Sequence, residues 1–255
     1  MIPFYQWTTI SLGPITIQVW GLFVALGMLI SIIIGWKRAK RLGVNPEQLL
    51  DLSMYMIVIG MIFARVFHIV FYEPSFYLSS PVEIFKVWNG GFSSFGGLFG
   101  AIIGFSWYIK SRKIEKKNIW SWADQIVFAS LFGWMVARVG CSSIHDHLGK
   151  LSDSFLAVNF PGGSRLDMGI MEIIFLVPLA LVFYFTRNKK LFSGFYFLSV
   201  LVYYGALRFA LDFFRATDIA HADTRYLGLT PAQYFGMVAF VVGLYLFRKR
   251  GKMAK

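Results

Sequence analysis

The stretch ARVGCSSIHDHLG places several ionisable side chains directly after an apolar run of the sequence. Arg138 can bind an anion, and Cys141 is the one cysteine in the chain. Histidine is the side chain best suited to proton transfer near neutral pH, and His145 and His147 flank the carboxylate of Asp146. The stretch therefore predicts a site that binds an anion and moves a proton, with His145, Asp146 and His147 as candidate acid–base groups.

A metal centre is the other chemistry that this stretch suggests. His145 and His147 lack a convincing third ligand in the sequence, so we expect no metal and no other cofactor. Cys141 has no dedicated partner nearby along the chain, which is typical of a small buried apolar side chain.

Two further arginines, Arg65 and Arg208, interrupt other apolar segments. A charge inside a membrane segment costs roughly 2.5–3.5 kcal/mol on insertion scales, so these arginines and Arg138 require anionic partners. The candidate anions are Asp146, Glu172 and Asp212. One interpretation is a set of structural ion pairs, favoured for Arg208 and Asp212 because they are four residues apart on one helix face. The other, favoured for the whole set, is a site where guanidinium groups chelate the phosphate of an anionic lipid.

Glycines recur every four residues at Gly96, Gly100 and Gly104, a spacing that lets helices approach each other closely. Gly96 and Gly97 also follow two serines in a glycine-rich stretch. A ligand could approach the backbone there, so both glycines are also candidate substrate-binding positions.

The composition is that of a membrane protein, since 57% of the 255 residues are hydrophobic and only 15% are charged. Soluble domains carry about 25% charged residues. We predict an all-α polytopic fold of seven transmembrane helices in one integral membrane domain, because each segment approaches the roughly 20 residues that cross a bilayer. The predicted segments are Ile15–Trp36, Leu50–Tyr72, Phe92–Ile109, Ile119–Gly140, Gly169–Thr186, Gly194–Phe214 and Pro231–Phe247. Two long predicted connections, both on the outer side, are Cys141–Met168 and Arg215–Thr230.

The basic residues predict the orientation. Seventeen of the 25 Lys and Arg side chains follow the first, third, fifth and seventh segments. The positive-inside rule then puts the N-terminus outside and the C-terminus in the cytoplasm. Topology and contact with anionic lipids thus explain the net charge of +12, and no nucleic-acid partner is expected. The first residues lack the basic region of a cleavable signal peptide, so we expect the hydrophobic segments to direct insertion.

Several stretches of the sequence resemble motifs of the bacterial prolipoprotein diacylglyceryl transferases, and they occur in the same order along the chain. IQVWGLFVALG is similar to the family's first-helix motif, with Trp20 where tyrosine is usual, and ARVFHIVFY is similar to the second-helix motif, with Arg65. WNGGFSSFGGLFG resembles the family's His-Gly-Gly stretch, and RLDMGIMEI resembles the segment that carries a glutamate, here Glu172. YGALRFALDFFR matches the sixth-helix motif, with Arg208 in place and Asp212 for the glutamate.

The stretch ARVGCSSIHDHLG is similar to the family signature Gly-Arg-x-Gly-Asn-Phe-x-Asn-x-Glu-x-x-Gly. Arg138, Gly140 and Gly149 match it, and Asp146 replaces the glutamate. The departures are Phe95, where the family has a functional histidine, and Cys141 and Ile144, which replace both signature asparagines. The resemblance therefore implies either a divergent member whose base has moved to the His-Asp-His triplet or a paralogue with altered chemistry.

The resemblance implies a multi-pass enzyme of the bacterial cytoplasmic membrane. Such an enzyme transfers the diacylglyceryl group of phosphatidylglycerol to the lipobox cysteine thiol of an exported prolipoprotein and releases glycerol phosphate. Its partners are phosphatidylglycerol, the prolipoprotein signal peptide and membrane lipids. The implied catalytic residues are Arg138, His145, Asp146, His147 and Arg208. The implied substrate-binding residues are Trp20, Arg65, Gly96, Gly97, Gly149, Glu172 and Asp212.

Two alternatives remain open at the level of the sequence. The three departures favour a non-catalytic lipid- or lipoprotein-binding paralogue on the same scaffold. An anion transporter would also use membrane arginines, but the sequence lacks the inverted repeats of many transporters.

Overall fold

The computed structural model describes residues 1–13, 15–220 and 222–253. Lys255, one of the basic residues counted above, lies outside the described residues, as does position 221 in the predicted connection after the sixth segment. The chain forms two compact units, a large unit of Met1–Ile34 with Trp120–Lys255 and a small unit of Gly35–Ile119. The single integral membrane domain stays a prediction.

Eight α-helices dominate the described residues. They are α1 (Val19–Leu42), α2 (Pro46–Phe71), α3 (Pro74–Ser79), α4 (Ser94–Ser111), α5 (Ile119–Ile144), α6 (Met168–Thr186), α7 (Phe195–Leu211) and α8 (Pro231–Met253). Each of the seven predicted segments overlaps one of the long helices α1, α2 and α4–α8. That there are seven transmembrane helices stays a prediction.

Five helical stretches of the described chain are long and apolar enough to cross a membrane. They are Val19–Leu42, Pro46–Phe71, Lys116–Ile144, Met168–Thr186 and Phe195–Phe214. Helices α4 and α8 are not among these five. Helix α4 carries four glycines and three serines, and α8 ends in a run of basic residues, which lowers the hydropathy of both. That α4 and α8 also cross the membrane stays a prediction.

Two predicted boundaries are wrong. Ile15–Gln18, predicted as the start of the first helix, is strand β3, and it pairs antiparallel with β2 (Thr9–Leu12). The β-branched residues of this stretch favour extended backbone. Cys141–Ile144, predicted as the start of a connection, forms the last turn of α5. The fold is therefore mostly helical, with small sheets that the all-α prediction omitted.

A four-stranded sheet of the large unit organises the connection between α5 and α6. It contains β1 (Ile2–Pro3), β4 (Leu148–Leu151), β5 (Val158–Phe160) and β6 (Gly163–Asp167) in the order β1-β5-β6-β4. Only the β1–β5 pair is parallel. The N-terminal segment is bound to this region by backbone hydrogen bonds from Ile2 N to Ala157 O (2.8 Å) and from Trp7 N to Ser143 O (2.9 Å). The sheet thereby fixes the backbone on both sides of the His-Asp-His triplet.

The helices of the large unit pack around an apolar core that joins α5, α6 and α7. Its buried members are Phe128, Leu131, Leu176, Leu179, Ala180, Phe183 and Tyr196. A buried carboxylate on α5 also fixes the start of α7, because Asp124 accepts hydrogen bonds from Gly194 N (2.7 Å) and Phe197 N (2.9 Å). These two backbone donors would otherwise be unsatisfied at the helix N-terminus. The core and this cap together set the position of α7 against α5.

In the small unit, α2 and α4 pack closely through glycines. A Cβ atom built on Gly96 would lie 2.5 Å from Phe63 O and 2.6 Å from Phe67 Cβ, whereas one built on Gly97 would meet only Ala64 Cβ at 3.7 Å. Gly96 therefore has a packing role, whereas a Cβ atom on Gly97 would make only an ordinary van der Waals contact.

We expect Gly96→Ala to lower the free energy of unfolding by about 1–3 kcal/mol, the usual cost of overpacking a tight contact. Gly97→Ala is the matched control on the next residue of the same helix, and we expect it to change stability little. Thermal unfolding of both variants in detergent measures the difference. Equal stabilities of the two variants would contradict the close approach of α4 to α2.

Candidate functional site

A buried glutamate joins three helices of the large unit. Glu172, in the first turns of α6, is 2% exposed. Its Oε2 lies 3.0 Å from Arg138 Nη2 on α5 and 3.9 Å from Arg208 Nη1 on α7. Tyr204, also on α7, donates a hydrogen bond to Glu172 Oε1 at 3.0 Å. The end of α5, the start of α6 and the end of α7 thus meet at one carboxylate.

Arg208 contacts a second buried carboxylate. Its Nη2 lies 3.1 Å from Asp212 Oδ1, in an ion pair whose alignment is too poor for a hydrogen bond. The other oxygen of Asp212 accepts from the hydroxyl of Thr230, and the backbone oxygen of Asp212 accepts from Arg225 Nη2 at 2.9 Å. The ion pair expected from the four-residue spacing is therefore present, and the following loop folds back over it.

Arg138 keeps part of its donor capacity unused. Its Nη1 donates to Cys141 Sγ at 3.6 Å, and its Nε is buried without a hydrogen-bond partner. The guanidinium also lies over the ring of Trp134 at 5.9 Å, and Trp20 hydrogen-bonds to Cys141 beside it. A guanidinium carries five N–H donors, so Arg138 can bind a further anion without giving up Glu172.

His145 is part of a structural clamp. Its Nδ1 lies 2.6 Å from Asp167 Oδ2 and its Nε2 lies 3.1 Å from the backbone oxygen of Tyr5. Asp167 also caps α6 by accepting from Ile170 N at 2.9 Å, and Phe4 stacks on the imidazole at 5.1 Å. With oxygen atoms facing both ring nitrogens, His145 ties the N-terminal segment to the start of α6 and offers no nitrogen to a substrate.

His147 is held by an arginine that the sequence analysis did not select. Arg215 Nη2 donates to His147 Nδ1 at 3.0 Å, and Arg215 Nη1 pairs with Asp223 at 2.8 Å. Burial, followed by the positive charges of Arg215, Arg138 and Arg208, lowers the pKa of His147 to about 3. The imidazole is therefore neutral at physiological pH, and its lone pair points at Arg215.

Asp146 has a pKa in the range that suits acid–base chemistry. Burial raises its pKa to about 6, with a smaller contribution in the same direction from Asp167, while Arg138 and Arg215 oppose the shift. Its Oδ2 lies 3.7 Å from His147 Nε2. A carboxyl with a pKa near 6 is mostly ionised at pH 7 and still basic enough to accept a proton.

Cys141, Asp146 and His147 bring three ligand-type atoms within 4.8 Å of one another. The contacts of this trio disfavour a cation. Because Arg215 occupies His147 Nδ1, the remaining nitrogen carries the hydrogen and has no lone pair for a metal. Arg138 also contacts the thiol with a positive charge. The trio is better suited to hydrogen bonding than to coordination.

Gly149 is placed beside the site by strand packing. It lies in β4, and its backbone forms a bridge to Arg215. A Cβ atom there would lie 2.7 Å from Leu166 O and 3.0 Å from Phe214 O. Any larger residue would push the loop that carries Arg215 away from the strand.

The remaining predicted positions belong to the small unit. Arg65, on α2, donates through Nε to Ile84 O at 3.1 Å and through Nη1 to Gly91 O at 2.9 Å, with further bonds to the oxygens of Glu83 and Gly90. These backbone contacts fix the loop before α4. Gly96 and Gly97 lie in the first turn of that helix.

Of the predicted residues, the structure brings together a set in the large unit: Trp20, Arg138, Asp146, His147, Gly149, Glu172, Arg208 and Asp212. Arg215 and Tyr204 also belong to this set and were not predicted from the sequence. Both belong to the segment YGALRFALDFFR, where Tyr204 lies four residues before Arg208 on one face of α7 and Arg215 follows the last helical turn, Asp212–Phe214. The four-residue spacing could have identified Tyr204.

A family model and the most similar curated proteins carry the same family name. A family model described as prolipoprotein diacylglyceryl transferase matches residues 8–248. A relative from Glaesserella parasuis serovar 5, named phosphatidylglycerol–prolipoprotein diacylglyceryl transferase, is 31% identical over 247 residues, which cover 93% of this chain and 90% of the relative. Relatives of the same name from Solidesulfovibrio magneticus and Staphylococcus haemolyticus are 30% and 27% identical, over 97% and 94% of this chain and 96% and 86% of their own lengths.

We expect Glu172→Gln to lower the free energy of unfolding by about 3–5 kcal/mol, because it leaves two largely shielded arginines without their shared buried carboxylate. Asp51→Asn is the control. Its pair with Arg112, at 3.1 Å, is half-exposed, and such pairs contribute about 0–1 kcal/mol. Denaturant unfolding in detergent compares the two. A Glu172→Gln protein as stable as Asp51→Asn would show that the shared carboxylate does not hold the helices together.

Proposed function

The chain belongs to the prolipoprotein diacylglyceryl transferase family, and we propose that the cluster at the meeting ends of α5, α6 and α7 is its active site. The enzyme transfers the diacylglyceryl group of phosphatidylglycerol to a prolipoprotein. The observation that carries the site assignment is the pair of guanidinium groups, Arg138 and Arg208, gathered around Glu172 with unused N–H donors.

Arg138 and Arg208 bind the phosphate of the lipid in this proposal. Guanidinium groups match phosphate oxygens in geometry and charge, and both groups are largely shielded from solvent, which strengthens the interaction. Glu172 and Asp212 keep the two cations together before the lipid arrives. The site is therefore preorganised for the negative charge that grows on the leaving phosphate oxygen.

Asp146 accepts the proton of the substrate thiol, since both ring nitrogens of His145 contact protein oxygens and Nδ1 of His147 accepts from Arg215. The acceptor thiol is the lipobox cysteine of the prolipoprotein. As Asp146 takes the proton, the sulfur attacks the glycerol carbon that carries the phosphate, and a carbon–sulfur bond forms. The bond from that carbon to the phosphate oxygen breaks, its electron pair stays on oxygen, and glycerol phosphate leaves. The base is needed because the thiolate is the effective nucleophile.

We also propose that all seven long helices cross the bacterial cytoplasmic membrane, with the N-terminus outside. The basic residues in the last turns of α1 and α8, and those around the C-terminal ends of α4 and α6, support this orientation. It puts the meeting ends of α5, α6 and α7 at the outer leaflet, where an exported prolipoprotein and phosphatidylglycerol are both accessible.

Phe95 favours a second candidate function, a scaffold that binds lipid or lipoprotein without transfer. The family's histidine is missing at this position, at the start of α4. Binding without product in the assay below would support that function.

We expect the purified protein, given phosphatidylglycerol and a lipobox peptide, to form a thioether-linked diacylglyceryl peptide that mass spectrometry detects. Arg138→Ala and Arg208→Ala should each lower kcat by roughly 10²-fold or more, the usual loss when a donor to developing negative charge is removed. Arg112→Ala, which removes an exposed arginine of the small unit, is the control and should keep full activity. Full activity in both active-site variants would refute the phosphate-binding role.

We expect kcat/KM to rise with pH through about 6 and then level off, because Asp146 acts only when ionised and burial raises its pKa to about 6. The charged groups that face it are Arg138, Asp167 and Arg215, with neutral His147 beside it. Asp146→Asn should lower the plateau by roughly 10²–10⁴-fold, the range of general-base contributions. Asp146→Glu, which restores the family's residue, should keep a similar profile. An unchanged pH profile in Asp146→Asn would exclude this carboxyl as the base.

A further inference from the structure

The hydrogen on the His147 ring is fixed by its contacts. A guanidinium only donates hydrogen bonds, and Arg215 Nη2 lies 3.0 Å from His147 Nδ1, so that nitrogen must accept. The neutral ring therefore carries its hydrogen on Nε2. Arg215 is itself held by Asp223 and by the strand bridge to Gly149, so the orientation of the imidazole is determined by the fold.

This Nε2–H donor faces an acceptor that it does not reach. Asp146 Oδ2 lies 3.7 Å away, beyond hydrogen-bond distance. A hydroxyl oxygen about 2.8 Å from both atoms would accept from the imidazole and donate to the carboxylate. The side chains of His147 and Asp146 are 37% and 31% exposed, so a ligand can reach the space between them.

The position of this pair suggests which hydroxyl it binds. Both residues lie next to the arginines proposed to hold the lipid phosphate, and Asp146 interacts electrostatically with Arg138 and Arg215. The headgroup alcohol is attached directly to that phosphate. We infer, on the basis of the proposed function, that His147 Nε2–H donates to a hydroxyl group of the headgroup alcohol and that His147 is the residue that selects lipids with hydroxylated headgroups.

The same arrangement disfavours other headgroups. An ammonium headgroup would meet Arg138, Arg208 and Arg215 with like charge, and a plain alkyl headgroup would leave the imidazole N–H and the Asp146 oxygen without a partner. Asp146 can still act as the base, because its other oxygen is free of this bridge. His147 thus discriminates between substrates, and Asp146 carries the chemistry.

The experiment compares two lipids with identical acyl chains and charge, phosphatidylglycerol and phosphatidylpropanol, which lacks both headgroup hydroxyls. We expect wild type to prefer phosphatidylglycerol by roughly tenfold in kcat/KM, about the contribution of one neutral hydrogen bond. His147→Leu should reduce this ratio towards one, because it removes the N–H donor that distinguishes the two headgroups. His147→Gln, whose carboxamide retains an N–H donor, should keep most of the preference.

Equal use of the two lipids by wild type, or an undiminished preference in His147→Leu, would overturn the inference. The wild-type comparison and His147→Gln test it even if His147→Leu does not fold. Absence of transfer from either lipid would instead count against the proposed function. In that case the relative binding of the two lipids, measured by native mass spectrometry from detergent, still tests the selectivity: equal binding by wild type overturns the inference, and loss of a preference in His147→Leu supports it.

Discussion

The buried carboxylate of Glu172 is the interaction on which the rest of the large unit depends. Shielding two arginines from solvent costs several kcal/mol. Among the described residues, Glu172 is the carboxylate that contacts both Arg138 and Arg208, whereas Asp212 contacts Arg208 alone. Sharing one oxygen between Arg138 and Arg208 ties α5 to α7 through α6. The apolar core and the Asp124 cap hold the other ends of these helices, so the shared carboxylate decides where the two guanidinium groups meet.

The charges around that carboxylate also explain why the site is suited to binding an anion. The ion pairs use some of the guanidinium N–H groups and leave others, such as Arg138 Nε, without a partner. Arg215 adds a third positive charge whose carboxylate partner, Asp223, is half-exposed. A phosphate that enters this cluster gains donors without breaking the pairs that hold the helices.

The sequence predicted the helices and much of the charge cluster, because both depend on local patterns. Long apolar runs identify helices, and a four-residue spacing identifies the pair of Arg208 and Asp212. The sheet and the roles of the histidines could not be predicted in this way. His145 is fixed by Tyr5 and Asp167, and His147 by Arg215, and these partners are 140, 22 and 68 residues away along the chain. Such contacts are set by tertiary structure, which one sequence does not reveal.

The choice between a histidine and a carboxylate as the base follows from the same electrostatics. Burial lowers the pKa of His147 to about 3, and the positive charges of Arg215, Arg138 and Arg208 act in the same direction because a protonated imidazole would add a fourth positive charge beside them. Desolvation acts on Asp146 in the opposite sense and raises its pKa to about 6, since burial disfavours the charged form of either group. A cluster of arginines of the kind that the proposed function requires therefore weakens an imidazole as a base, whereas it leaves a partly buried carboxyl with a pKa near 6. The proposed replacement of the family's histidine by an aspartate is consistent with this balance, and it leaves the neutral imidazole free to serve as a hydrogen-bond donor.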